Sequence, residues 1–73
     1  MENLMSIYEL AKFLEISVAS VNYYTNLGFF NVKDRKGNRR LYDKNEIFSI
    51  YHQIRQLRKK GYTLKLIQQR LEM

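Results

Sequence analysis

Seventy-three residues without a cysteine allow at most one domain, held by no disulfide and no thiolate metal site, so its core must come from the 45% of residues that are apolar. The opening MENLMSIYEL has no basic region followed by an unbroken apolar run, and no stretch nears the roughly 18 apolar residues of a membrane span; a cytoplasmic chain with no membrane partner is expected. The formal charge of +6 is unevenly placed: residues 1–30 set Lys12 against Glu2, Glu9 and Glu15, while residues 31–44 and 45–73 each hold six basic and two acidic side chains. A small domain that is basic over its last two thirds suits a polyanion, whose phosphates it neutralises with release of counterions. Charge alone equally fits a protein that gains only solubility from it.

In chain order, Ser6 with Glu9 three residues on makes a capping box, and Ile7, Leu10, Ala11 and Leu14 then recur on one face, which predicts a helix over residues 6–14. After a turn at Glu15 and Ile16, Ser17 caps a second helix over residues 17–26, with Val18 and Val21 a turn apart and Gly28 past its end. Two short helices so joined form a helix-turn-helix unit. Residues 30–42 read as a ragged hairpin: Phe30 to Lys33 is one arm, Asp34 to Asn38 the turn, and Arg39 to Tyr42 the return. Asp43 with Glu46 then caps a helix over residues 44–60 along Ile47, Ile50, Tyr51, Ile54, Leu57 and Arg58, until Gly61 stops it. Thr63 caps a last helix over residues 63–71. Its apolar side chains, Leu64, Ile67, Leu71 and the terminal Met73, fit either the core or an interface. The fold class is therefore mainly α with a small β-hairpin, in a single unit spanning residues 1–73.

The second helix is the candidate reading element. A helix fits the major groove if it presents short hydrogen-bonding side chains near its N-terminus, and Ser17, Ala19, Ser20, Asn22 and Tyr23 are candidates for that face. A carboxamide such as that of Asn22 can bond bidentately to adenine. Of the six basic side chains in residues 33–44, Lys33, Arg35, Lys36, Arg39 and Arg40 are candidates for DNA backbone or minor-groove contact. Arg39 and Arg40 point to opposite faces of an extended arm, so one of them is expected to aim at DNA while the other packs its stem. Tyr23 and Tyr42 each offer a phenolic donor to phosphate, and Tyr24 is expected in the core. No catalytic constellation assembles: His52 stands alone, no serine has a His and an acid at a recognisable spacing, and Gly37 and Gly61 are isolated. No enzyme, metal or cofactor is expected.

Three segments resemble the N-terminal DNA-binding domain of the MerR family of transcription regulators: SIYELAKFLEISVASVNYYTNLGFF, GNRRLYDKNEI and IRQLRKKGYTLKLIQQRL, in the family's order over residues 6–71. The resemblance implies a winged helix-turn-helix with the hairpin as wing and the last two helices partly acting as a second wing. It implies phosphate contacts from Tyr23, Arg40 and Tyr42. Two positions depart from the family pattern: Asn22 stands where arginine is usual and Thr25 where glutamate is common, so restoring Asn22→Arg is expected to tighten binding and change base preference. The doubled Arg39-Arg40 looks more like the heat-shock and nitrogen-control repressor branch than the metal-sensing branch. Family members continue into a dimerisation helix and an effector-binding region, neither of which lies within residues 1–73; a homodimer through such a region is the implied assembly. The functional expectation is sequence-specific binding of double-stranded DNA for transcription regulation. Alternatives are a DNA-architectural factor like the small excisionases that share the winged fold, and a small protein-interaction module. With about six or seven phosphate contacts, a monomer should bind weakly and with strong salt dependence.

Overall fold

The computed structural model describes residues 3–71, which form, in order, β1 (Leu4–Ser6), α1 (Ile7–Leu14), α2 (Val18–Asn26), β2 (Asp34–Lys36), β3 (Arg39–Asp43), α3 (Lys44–Lys59) and α4 (Leu64–Leu71). The chain is mainly helical with a small antiparallel sheet, an arrangement consistent with a winged helix-turn-helix. Each helix starts where a side chain replaces a missing backbone acceptor. Ser6 and Glu9 close a reciprocal capping box at 2.9 and 3.2 Å. Ser17 Oγ accepts from the Ser20 N–H at 3.0 Å, Asp43 Oδ1 from the Glu46 N–H at 3.0 Å, and Thr63 Oγ1 from the Leu66 N–H at 3.2 Å.

The helix ends share one device, a left-handed residue followed by an N–H that reaches back five residues. Ile16 donates to the Ala11 carbonyl at 3.0 Å, Phe29 to Tyr24 at 3.0 Å, and Tyr62 to Leu57 at 3.1 Å. Glycine takes the left-handed position in the last two, Gly28 at φ 93° and Gly61 at φ 97°, but the turn between α1 and α2 uses Glu15 at φ 61°. There a Cβ is carried at a steric cost.

Two differences from expectation concern the sheet. It has three strands in the order β1-β3-β2, because β1 pairs antiparallel with β3 in the register Leu4↔Asp43, Met5↔Tyr42, Ser6↔Leu41. A three-residue strand has too few positions to show alternation, and its partner is nearly forty residues away, so no local signal announces it. The hairpin is also shifted: its first arm is Asp34–Lys36 rather than residues 30–33, and the turn is only Gly37-Asn38, with Gly37 at φ 64°. A positive φ at the first central residue is what a two-residue II′ turn requires, and this sets the register. Phe29 and Phe30, 8% and 1% exposed, instead drop into the core at the hairpin's base.

The core joins Leu10, Ala11 and Leu14 of α1, Val21 of α2, the two phenylalanines, Tyr42 of β3, Ile47 and Ile54 of α3, and Ile67 of α4. Tyr24 is half-buried against it, with ring centroids 5.2 Å from Phe30, 6.0 Å from Tyr51 and 6.2 Å from Phe29. Leu64 and Leu71 pack on its edge, whereas Arg58 is exposed and Met73 lies outside the described residues. Among the described residues no helix is long and apolar enough to cross a membrane.

Candidate nucleic-acid interface

Val18, Val21 and Thr25 face α2 inward, which turns Ala19, Tyr23 and Asn26 outward. All three outward residues are exposed, Tyr23 at 52%. Ser17 is occupied as the helix cap and its hydroxyl donates to Ser20 Oγ at 3.0 Å, so these two serines stabilise the start of α2 before they can meet a ligand. Asn22 sits half-buried on the flank that faces the hairpin.

Two side-chain pairs fasten that flank to β3. Arg40 Nη2 donates to Asn22 Oδ1, and Thr25 Oγ1 meets the Tyr42 hydroxyl at 3.0 Å while also donating to the Val21 carbonyl at 2.7 Å. The spacing suits the two elements: three residues of helix advance about 4.5 Å and two residues of strand about 6.6 Å, so alternate strand residues meet helix residues one turn apart. The Arg40 guanidinium also lies 6.0 Å from the Tyr42 ring centroid. Thr25 thus bonds the strand, and Asn22 holds Arg40 of the hairpin.

The eleven candidate residues separate by location. Tyr42 is fully buried, 0% exposed, with its hydroxyl engaged by Thr25; it supports Arg40 from behind and does not reach the surface. Its place follows from strand alternation: Met5 and Tyr42 are paired on the inner face. Arg40 shares that face and is half-buried, whereas Arg39 on the opposite face is exposed. Arg35 and Lys36 are exposed on β2, and Lys33 lies 3.7 Å from the Glu46 carboxylate in a surface ion pair worth at most about 1 kcal/mol.

The register of the ribbon places like charges in direct opposition. Arg35 faces Arg40, and Lys36 faces Arg39. Cross-strand neighbours of the same sign repel, so the ribbon concentrates four cations that an anion would relieve.

Several surface residues escaped the sequence reading. Tyr8, 69% exposed, borders a 410 Å³ depression shared with Ser6, Ile7, Asn38, Arg39 and Arg40, between the start of α1 and the turn end of β3. An aromatic off the apolar stripe of α1 was its only signal. Asn26 completes the outward face of α2, as helical spacing from Ala19 and Tyr23 indicates. At the C-terminal end of α2, Gln68 Nε2 donates to the Leu27 carbonyl, which ties α4 there, and Arg58, Lys59 and Lys60 are exposed where α3 ends. Burial raises the pKa of the Tyr24 phenol, the Tyr51 phenol adds to that shift, and the Arg58 charge opposes it, so Arg58 lies within electrostatic reach of α2. Arg40 is bonded to α2 through Asn22.

His52 is exposed on α3 and stacks on Phe48 with ring centroids 6.4 Å apart. Among the described residues no group of three His, Cys, Asp or Glu could hold a metal ion. A family model described as MerR HTH family regulatory protein matches residues 5–73. No curated protein and no solved structure matches the chain.

Proposed function

The chain belongs to the MerR HTH family of regulatory proteins, whose helix-turn-helix domains bind DNA and are not catalytic, and from that premise we propose that it binds double-stranded DNA sequence-specifically to regulate transcription. In this reading α2 enters the major groove with Ala19, Asn22, Tyr23 and Asn26 toward the bases and groove walls. The β2–β3 ribbon is the wing: Arg35, Lys36 and Arg39 lie on the flanking backbone or in the minor groove, with Lys33 at its base. Ser17 and Ser20 hold the helix start against a phosphate. Tyr23 braces against the backbone, and Tyr42 acts through Arg40, which it positions. Family members typically dimerise, and two copies joined through a region beyond residue 73 would read a palindrome as two half-sites.

The observation that carries this reading is the opposed cationic ribbon, Arg35 against Arg40 and Lys36 against Arg39, beside a polar helix. A stand-alone domain gains nothing from that repulsion, while a duplex offers phosphates to both faces of the ribbon. The test is a duplex titration at several salt concentrations. Affinity should fall steeply from 50 to 200 mM salt, on the order of a thousandfold for six contacts, and alanine at Arg35 and Lys36 should make the dependence shallower. Duplex binding that is absent at low salt, or indifferent to both substitutions, would refute the proposal. An architectural role is the second reading, favoured by the outward face of α2, where Ala19 supplies no hydrogen bond and leaves few side chains to read bases; induced bending at clustered sites would mark it.

A further inference from the structure

Asn22 is half-buried, yet its carboxamide is not enclosed. A guanidinium can only donate hydrogen bonds, so the atom of Asn22 that faces Arg40 Nη2 must be the oxygen, which assigns the orientation of the amide. Nδ2 has no protein partner among the described residues. No buried side-chain nitrogen or oxygen there lacks a hydrogen bond, so Nδ2 opens to solvent. Asn22 is the fifth of the nine residues of α2, little more than one turn from its N-terminus, the end of a reading helix that reaches base edges.

Resting on the DNA-binding reading above, we infer that Asn22 and Arg40 form one donor-only reading head that selects guanine over adenine at one position of the target. A free carboxamide suits adenine because it offers one donor and one acceptor to N7 and the N6 amino group. Here one lone pair of Oδ1 accepts from Arg40 Nη2, and the guanidinium charge beside the second turns the pair toward acceptors rather than donors. The pair presents N–H groups from Nδ2 and from the rest of the guanidinium, and the positive charge repels an amino donor. Guanine shows two acceptors, N7 and O6, side by side in the major groove. Arg40 thus brings a cation from the ribbon to the flank of α2 that carries Asn22.

The test is selection from random duplexes at low salt with the wild-type chain, Asn22→Asp and Arg40→Gln, each checked for folding by thermal melting. The wild type should select guanine at one position, preferred over adenine about tenfold. Asn22→Asp keeps a partner for Arg40 but has only acceptors, so guanine preference should vanish at that position alone and cytosine, with its N4 donor, should rise. Arg40→Gln should release the carboxamide and raise adenine at the same position. Should a variant fail to fold, the wild type against a duplex carrying 7-deazaguanine at the selected position replaces it, and affinity should drop about threefold or more. The inference is overturned by an Asn22-dependent position that is adenine in the wild type, by duplex binding without any base preference, or by 7-deazaguanine without effect. Failure of the wild type to bind any duplex is a different result, because it removes the DNA-binding reading itself.

Discussion

Arg35→Glu should strengthen the fold and weaken DNA binding at once. In the wild type Arg35 stands directly opposite Arg40 with no acid in register beside it on that face. With Arg40 held by Asn22 and Arg35 on a flexible stem, two charges about 7 Å apart in water repel by about 0.6 kcal/mol, and ionic strength near 0.1 M halves this to about 0.3 kcal/mol. Reversing one sign turns that repulsion into a comparable attraction, a swing of about 0.6 kcal/mol. For a domain of this size the melting temperature should rise by about 2–5 °C at 0.1 M salt. The gain should fade toward 1 M salt, where screening removes both terms. The same change deletes a phosphate contact, so the slope of log affinity against log salt should fall by about 0.9 and duplex affinity by about tenfold at 0.1 M. Melting curves and duplex titrations on one preparation read both effects. A variant that melts lower than wild type at 0.1 M salt, or binds duplex with an unchanged slope, would show that the ribbon cations are neither in conflict nor on phosphate.

Three further outcomes follow from other features of the fold. Glu15→Gly should melt higher than Glu15→Ala, by a difference of about 1 kcal/mol in stability, because only glycine relaxes at φ 61°; equal melting temperatures would mean that the turn is unstrained. Asn22→Arg should lose the bond from Arg40 and set two guanidinium groups together, costing about 1 kcal/mol of stability while steepening the salt dependence of duplex binding, so that tighter binding comes with a looser wing; a melting temperature equal to wild type would contradict this. Tyr24→Phe tests the phenol whose folded pKa is raised above its ordinary 10.0 by burial and by Tyr51. Such a group contributes stability that is complete below pH 10 and is lost as pH rises through the folded value, so denaturant titrations above pH 10 should show a steeper decline for wild type than for the variant. Parallel declines would place the phenol in water.

The parts of the fold legible in the sequence are those governed within one turn of backbone. Ser6, Ser17, Asp43 and Thr63 satisfy N–H groups three residues on, and Gly28 and Gly61 accept the left-handed backbone that ends a helix. Helix positions accordingly agree with expectation to about one residue at each end. The turn between α1 and α2 lies at Glu15 and Ile16 as the sequence indicates, but a glutamate carries no local signal for the left-handed backbone it adopts there.

The site divides along the same line. Residue types and charge by themselves determined that a polar helix precedes a basic hairpin and that the chain carries the pattern of its family, because these depend on composition and short spacings. Only the tertiary structure decided that Tyr42 is buried and Arg40 is not free, that Arg35 opposes Arg40, and that β1 closes the sheet from the other end of the chain. Each of these depends on which residues from distant segments share a face, and strand register sets that. A slip of one residue would turn Tyr42 outward, Arg39 toward Asn22, and the carboxamide loose.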